Sequence, residues 1–118
     1  MSEVMRPPSF VWVYPAGVDH VHDGDTVIMH VLIHPNEGGE LHAVSVRVEG
    51  INAPETNTAE GKAAKAYAAS LLPSGSQVML TARKRDKYGR WLARIVLPNG
   101  DDFSTLMIVA GHAVAYTT

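Results

Sequence analysis

Oxygen-bearing and cationic side chains concentrate in three short segments: Asp23-Gly24-Asp25-Thr26, Gly50-Ile51-Asn52-Ala53-Pro54-Glu55 and Asp86-Lys87-Tyr88-Gly89-Arg90, with Arg47 just ahead of the second. Asp23 and Asp25 flank a glycine that permits a sharp bend or bulge at a strand start. Carboxylates gathered in this way suit calcium or magnesium, hard cations that prefer oxygen ligands. Taken alone, the same residues read first as an Asx-turn opening a strand. In the second segment Pro54 lacks an N–H and pushes Ala53 toward an extended conformation, so a strand ladder must stop there. The Ala53 carbonyl is then released to face a cation, with the Asn52 amide oxygen beside it.

Glu55 follows on a proline-stiffened loop, placed to orient or deprotonate a water, although the segment alone reads as an ordinary strand-to-helix connection. Arg47 and Arg90 can each bond a phosphate bidentately, and Gly89 supplies a bend that turns Arg90 inward. A hard-cation site, a carboxylate for a water and two guanidinium groups are the parts that phosphodiester hydrolysis uses.

The elements that must position these groups follow from the hydrophobic pattern. Phe10 to Val18 predicts a strand interrupted at Pro15. Thr26 to His34 alternates, with Val27, Met29, Val31 and Ile33 on one face and Thr26, His30 and His34 on the other. After the turn at Pro35-Asn36-Glu37-Gly38-Gly39, a second strand sets Val44, Val46 and Val48 against Ser45, Arg47 and Glu49, completing a hairpin. An arginine at position 47 on that outward face needs no special explanation.

Ala59 to Leu72 predicts a helix with Ala63, Ala66, Tyr67, Ser70 and Leu71 at helical spacing, closed by Pro73-Ser74-Gly75. Strands over Val78–Ala82 and Leu92–Leu97 flank the third segment. Asp101 or Asp102 caps a short helix running through Ala110 to Gly111, with Leu106, Met107 and Ala110 as its core face. Five short strands with a helix after the third predict a small closed barrel, an oligonucleotide-binding (OB) fold with two short helices.

The chain of 118 residues is long enough for one domain, read as a loose arm over 1–9 and a single unit over 10–118. An apolar content of 46% with 19% charged residues is ordinary for a soluble globular protein. The absence of cysteine excludes disulfides, thiol catalysis and cysteine zinc sites. The first twelve residues carry Arg6-Pro7-Pro8 and no apolar run, unlike a secretory signal, which points to an intracellular protein. No segment approaches the ~18 apolar residues of a membrane span. A net charge of −2 argues against coating nucleic acid by bulk electrostatics. Six of the ten basic residues nevertheless lie between Arg83 and Arg94, a run that alone reads as a solvated loop or strand edge.

Three stretches, VHDGDTV at 21–27, VRVEGINAPE at 46–55 and RDKYGRWLA at 85–93, resemble the thermonuclease (staphylococcal nuclease) family. The similarity runs from about Val18 to Tyr116 and includes the helix between the second and third stretches. The resemblance implies a calcium-dependent phosphodiesterase on a five-stranded OB barrel, hydrolysing DNA and RNA to 3′-phosphorylated products. It implies Asp25 and the Ala53 carbonyl as metal ligands and Glu55 as the water-directing base. Arg47 and Arg90 would then clamp the scissile phosphate, Lys87 and Tyr88 hold the neighbouring phosphate, and Tyr116 stack on a base.

Two departures from the family pattern carry expectations. Asn52 stands where the family usually has a metal-binding aspartate, which keeps an oxygen donor but removes a charge. Weaker calcium binding or a shift toward manganese or magnesium follows. The chain also stops at Thr118, where the family continues into a third helix, leaving an apolar surface for a partner or a second subunit. Six histidines are present; His20 and His22 with Asp25 could form a transition-metal site, or be solvated groups near a turn. His30, His34 and His42 are expected on the exposed barrel wall. Three functions stand: an active nuclease, a binding module that has lost its metal with Asn52, and an oligomerising barrel. Retention of Asp25, Arg47, Glu55 and Arg90 favours the first.

Overall fold

The computed structural model describes residues 12–34, 39–85 and 90–116. The 1–9 arm and the Asp86–Gly89 stretch, including Lys87 and Tyr88, lie outside the described residues. The first strand, β1 (Trp12–Asp23), does not break at Pro15 as expected. Val18 N–H donates to the Ser76 carbonyl at 2.9 Å and Val18 C=O accepts from Gly75 N–H at 2.7 Å. By strand alternation the Pro15 nitrogen faces the opposite edge, where pairing with β2 (Thr26–His34) starts only at Ala16. The proline therefore forfeits no ladder bond.

Strand β1 pairs along one edge with β5 (Gln77–Arg85) over Trp12–Gly17, and along the other with β2 from Ala16 to Asp23. Register shifts between Val18 and His20 and between Val21 and Asp23 bend it enough to serve both neighbours. Strand β2 pairs with β3 (Gly39–Val48), the expected hairpin, and β5 pairs with β6 (Trp91–Val96). The ring closes in the order β1-β2-β3-β6-β5 through a parallel ladder, Val46 opposite Trp91, Arg47 opposite Leu92 and Val48 opposite Ala93. This is the five-stranded closed barrel with two helices that the sequence predicts.

Val27, Met29, Val31, Val46, Val48, Leu80, Ala93 and Ile95 are fully buried inside the barrel, as the alternation requires. Thr26 and Arg47 lie on the opposite face and are buried as well, contrary to expectation. Arg47 is enclosed at this end of the barrel by Asp25, Asn52 and the Tyr116 ring. A two-residue strand, β4 (Ile51–Asn52), pairs with a second, β7 (Val114–Ala115), and neither was expected. Two residues are too few to show a period.

Helix α1 (Ala59–Leu71) forms where predicted but buries a different face. Gly61, Ala64 and Ala68 are buried, with Leu72 beyond its last turn, whereas Ala63, Ala66 and Ser70 are exposed and Tyr67 and Leu71 half-buried. The smallest side chains face the barrel because the helix packs close to it: a Cβ on Gly24 would lie 3.2 Å from Ala64 Cβ. Thr58 caps the helix, its hydroxyl accepting from Gly61 N–H at 2.9 Å.

Helix α2 (Phe103–Val109) is capped by Asp102, which accepts from Thr105 N–H at 3.1 Å and is gripped by Arg94 at 2.8 and 3.2 Å. Burial alone would raise the Asp102 carboxyl, but the hydrogen bonds from Arg94 and Thr105 outweigh it and hold the group below 3.8. Phe103, Ser104 and Met107 form the buried face of α2; Leu106 is half-buried and Ala110, past the last turn, is exposed, which corrects the expected core face. Among the described residues no helix is long and apolar enough to cross a membrane.

Candidate functional site

The turn between β1 and β2 carries Asp25 to one end of the barrel, against the loop that follows β4. Asp25 Oδ2 accepts from Ala53 N–H at 2.8 Å, and the Asp25 carbonyl accepts from Val48 N–H at 2.9 Å. Gly24 makes this approach possible, since a Cβ there would stand 2.7 Å from Ala53 Cβ and 3.4 Å from Met107 Cε. Its role is close packing rather than an unusual backbone angle. Asp23 Oδ1 accepts from Asp25 N–H at 3.1 Å, the Asx-type contact that the sequence suggests. Burial first, and then the neighbouring Asp23, raise the Asp25 carboxyl above 3.8, against the lowering pull of Ala53 N–H and Arg47.

Arg47 reaches the same point from β3. Nη1 donates to the Val48 carbonyl at 2.7 Å, while Nη2 lies 3.8 Å from Asp25 Oδ2 and 3.5 Å from Asn52 Oδ1. The Tyr116 ring centroid lies 6.0 Å from its Cζ, within cation–π range. Tyr116 is placed there by its N–H, which donates to the Gly50 carbonyl at 2.9 Å just beyond β7. Asp25, Arg47, Asn52, Ala53 and Tyr116 are thus brought together from four parts of the chain. The β4–β7 ladder stops at Asn52, so the Ala53 carbonyl lies past it, as the proline argument expects.

Glu55 sits two residues along, its side chain exposed and its carbonyl accepting from Thr58 Oγ1 at 2.6 Å and Thr58 N–H at 3.0 Å. A Cβ on Gly61 would run into this carbonyl and come within 2.9 Å of Thr56 Cα. The first turn of α1 therefore lies directly on the Glu55 backbone. Thr58 and Gly61 were not singled out in the sequence; a threonine three residues before a glycine, at the start of an alanine-rich run, is the signal that was there. Arg90 is half-buried and directly precedes β6, whose residues 91–93 pair with 46–48, so its backbone adjoins the segment that pairs with β3 around Arg47.

The candidate donors, the Asp25 carboxylate, the Asn52 amide and the Ala53 carbonyl, are all oxygens, the chemistry that a hard cation takes. The histidines are arranged elsewhere. His20 Nδ1 and His30 Nε2 lie 3.6 and 3.7 Å from the two oxygens of Asp19, and the His30 ring stands 5.3 Å from that of His42. Among the described residues no three His, Asp or Glu side chains gather into a metal-holding group, so His20 and His22 are not assembled with Asp25. His42 is exposed as expected, whereas His30 is half-buried, its Nδ1 accepting from Ala43 N–H at 3.2 Å.

Comparison with known families decides the kinship. The staphylococcal nuclease homologue family matches residues 45–118, more than half of the chain. The chain belongs to that family. Within this staphylococcal nuclease homologue, the match begins in β3 just before Arg47 and includes Glu55, Arg90 and Tyr116. Endonuclease YhcR of Bacillus subtilis (strain 168) is 27% identical over 129 aligned positions, covering 98% of this chain and 10% of that protein. Proteins named as uncharacterized endonucleases in Escherichia coli O157:H7 and in Escherichia coli are each 29% identical over 114 positions, 91% of this chain and 69% of theirs. The chain thus spans about a tenth of the Bacillus protein's length.

Proposed function

We propose that this chain hydrolyses phosphodiester bonds in DNA, RNA or both, with the aid of a divalent hard cation, and leaves 3′-phosphorylated ends. The observation that carries the reading is the meeting of Asp25 Oδ2 with Ala53 N–H at 2.8 Å and Arg47 Nη2 at 3.8 Å, on the loop that leads to Glu55. Membership of the nuclease family and relatives named endonucleases support it.

Asp25, the Ala53 carbonyl and the Asn52 amide oxygen would hold the cation, calcium first and manganese or magnesium as alternatives. Such a cation supplies charge neutralisation at the phosphate. The chain's own groups do the rest. Glu55, exposed at the mouth of the loop, orients a water and takes its proton. Arg47 presents its remaining N–H groups to the phosphate, its orientation fixed by Val48, Asn52 and Tyr116. Preorganised donors of this kind cost no rearrangement as negative charge develops. Arg90 clamps the phosphate from the neighbouring strand, Lys87 and Tyr88 hold the next phosphate, and Tyr116 offers its ring to a base.

The test is cleavage of single-stranded DNA and RNA by purified protein with calcium, manganese, magnesium or chelator, beside Glu55→Ala and Arg47→Ala. Metal-dependent cleavage lost in both variants is the expected result. A folded protein that binds nucleic acid but cleaves nothing with any metal overturns the hydrolase in favour of a binding module.

A further inference from the structure

The chain reverses direction after α2. Gly111 adopts a φ of +80°, a left-handed conformation suited to glycine, and the N–H groups of Gly111 and His112 donate to the Ile108 and Met107 carbonyls, each at 3.0 Å. This capping turn lays His112 back against α1, where its ring lies 4.9 Å from the Tyr67 ring with the planes tilted by 31°. Beside the pair, a groove of about 260 Å³ separates the 52–54 loop from the 111–114 segment, and His112 forms part of its wall. The pairing of Asn52 with Val114 joins the two walls. Ala53 belongs both to the groove and to the candidate active site, because its N–H holds Asp25.

The wall chemistry narrows the occupant. Ala53, Pro54, Ala113 and Val114 give apolar surface, while the Asn52 amide and the His112 ring supply polar edges. No cationic side chain lines the groove among the described residues, so a phosphate gains nothing there. The Tyr67 ring packs against the imidazole, and His112 is among the residues that line the groove. An apolar slot with one planar ring and a few polar edges suits a nucleobase, which offers a π-face and a hydrogen-bonding rim. The volume falls just below the ~300–1,000 Å³ of sites for drug-sized ligands, a size in keeping with one base.

We propose that this groove receives one unpaired base adjoining the scissile phosphate, with His112 as a specificity-determining contact and Tyr67 as the residue that positions it. The inference rests on the hydrolase reading above for its place beside a cleaved bond. It makes single strands the preferred substrate, because a base must leave its stack to enter.

The test is an abasic scan. A fluorescein-labelled oligothymidylate of about four nucleotides, too short to slide past the site, and copies with one abasic site at each position, are titrated by anisotropy in chelator, with cleavage in calcium run in parallel. Loss of one base–aromatic contact predicts about tenfold weaker binding by the wild type at the abasic position that faces the groove, separate from the one that faces Tyr116. His112→Ala binds the intact strand about as weakly as the wild type binds that abasic copy, and it no longer distinguishes the two. His112→Phe keeps the discrimination, because it keeps a ring. Equal binding of every abasic copy by the wild type overturns the groove's role without recourse to any variant, and so does undiminished discrimination by His112→Ala. Cleavage without base discrimination sinks this inference alone. Base discrimination without cleavage sinks the hydrolase reading and leaves the groove a base-binding site.

Discussion

Replacing Gly61 by alanine tests whether α1 holds the Glu55 loop in place. In an ordinary helix interior this change stabilises by about 1 kcal/mol. Here the new methyl would run into the Glu55 carbonyl and stand 2.9 Å from Thr56 Cα, against backbone rather than a yielding side chain. Relief requires the helix or the loop to move by about 1 Å, and overpacking of this kind costs roughly 1–3 kcal/mol. Movement also strains the Thr58 cap, whose hydroxyl receives Gly61 N–H at 2.9 Å and donates to the Glu55 carbonyl at 2.6 Å; losing such a cap costs about 1 kcal/mol. After the propensity gain, a net loss of about 1–3 kcal/mol remains, a fall in Tm of roughly 4–12 °C for a domain of this size.

Activity should fall further than stability, since a ~1 Å misplacement of a catalytic group can cost about 100-fold. Thermal denaturation and kcat measured well below Tm separate the two effects. Ala66→Gly on the exposed face of α1 is the control, expected to lose about 1 kcal/mol from propensity alone and to keep its activity. A Gly61→Ala protein as stable as the wild type would refute the close approach of helix and loop. One that is destabilised yet fully active at low temperature would refute the claim that the helix positions Glu55.

Asn52→Asp restores a carboxylate among the proposed oxygen donors and should tighten calcium binding by about tenfold, read by calorimetric titration; unchanged affinity removes Asn52 from the ligand set. Arg47→Lys cannot span Val48, Asn52 and a phosphate with one ammonium, so kcat/KM should fall by roughly 100-fold or more, whereas near-wild-type kinetics would show that a point charge suffices. Asp102→Ala should cost about 1–2 kcal/mol at pH 7 through its cap on α2. The Asp102 carboxyl is held below 3.8 in the folded protein, so its contribution is present above that pH and is lost as pH falls through the folded value. Denaturant melts of both proteins should therefore converge in acid, and a gap that persists there would mean the cap does not depend on charge.

Much of the barrel is legible in the sequence because β2 and β3 are long enough to alternate and their inward positions are valine, methionine or leucine-like throughout. Period fails where composition is uniform. In α1, alanines occupy so many positions that Ala63 and Ala66 look as core-like as Ala64 and Ala68, and only the tight approach to Gly24 selects the buried set. Arg47 shows the limit of alternation, which puts it on the outer face correctly but cannot tell that Asn52 and Tyr116 cover that face. The β4–β7 pair joins positions 51–52 to 114–115, a contact that no local pattern encodes. The sequence expects Asp25 and the Ala53 carbonyl beside one cation, whereas the contact in the structure is the Ala53 N–H donating to Asp25. Its geometry depends on Gly24, whose missing side chain matters for packing and leaves no mark in a turn motif.

The parallel ladder between β3 and β6 closes the barrel, and it joins residues 46–48 to residues 91–93 across more than forty intervening positions. Like the β1–β5 ladder, which is longer-range still, it carries a loop-closure cost that the β1–β2–β3 meander, built from adjacent strands, does not. Arg47 lies on one strand of that ladder and Arg90 directly precedes the other, so the phosphate clamp proposed for them spans it. On that proposal, a chain that has formed its hairpins but not yet closed its ring holds half a clamp on each side of an open seam. The proposed hydrolysis should therefore return, after dilution from denaturant, only as the barrel seals.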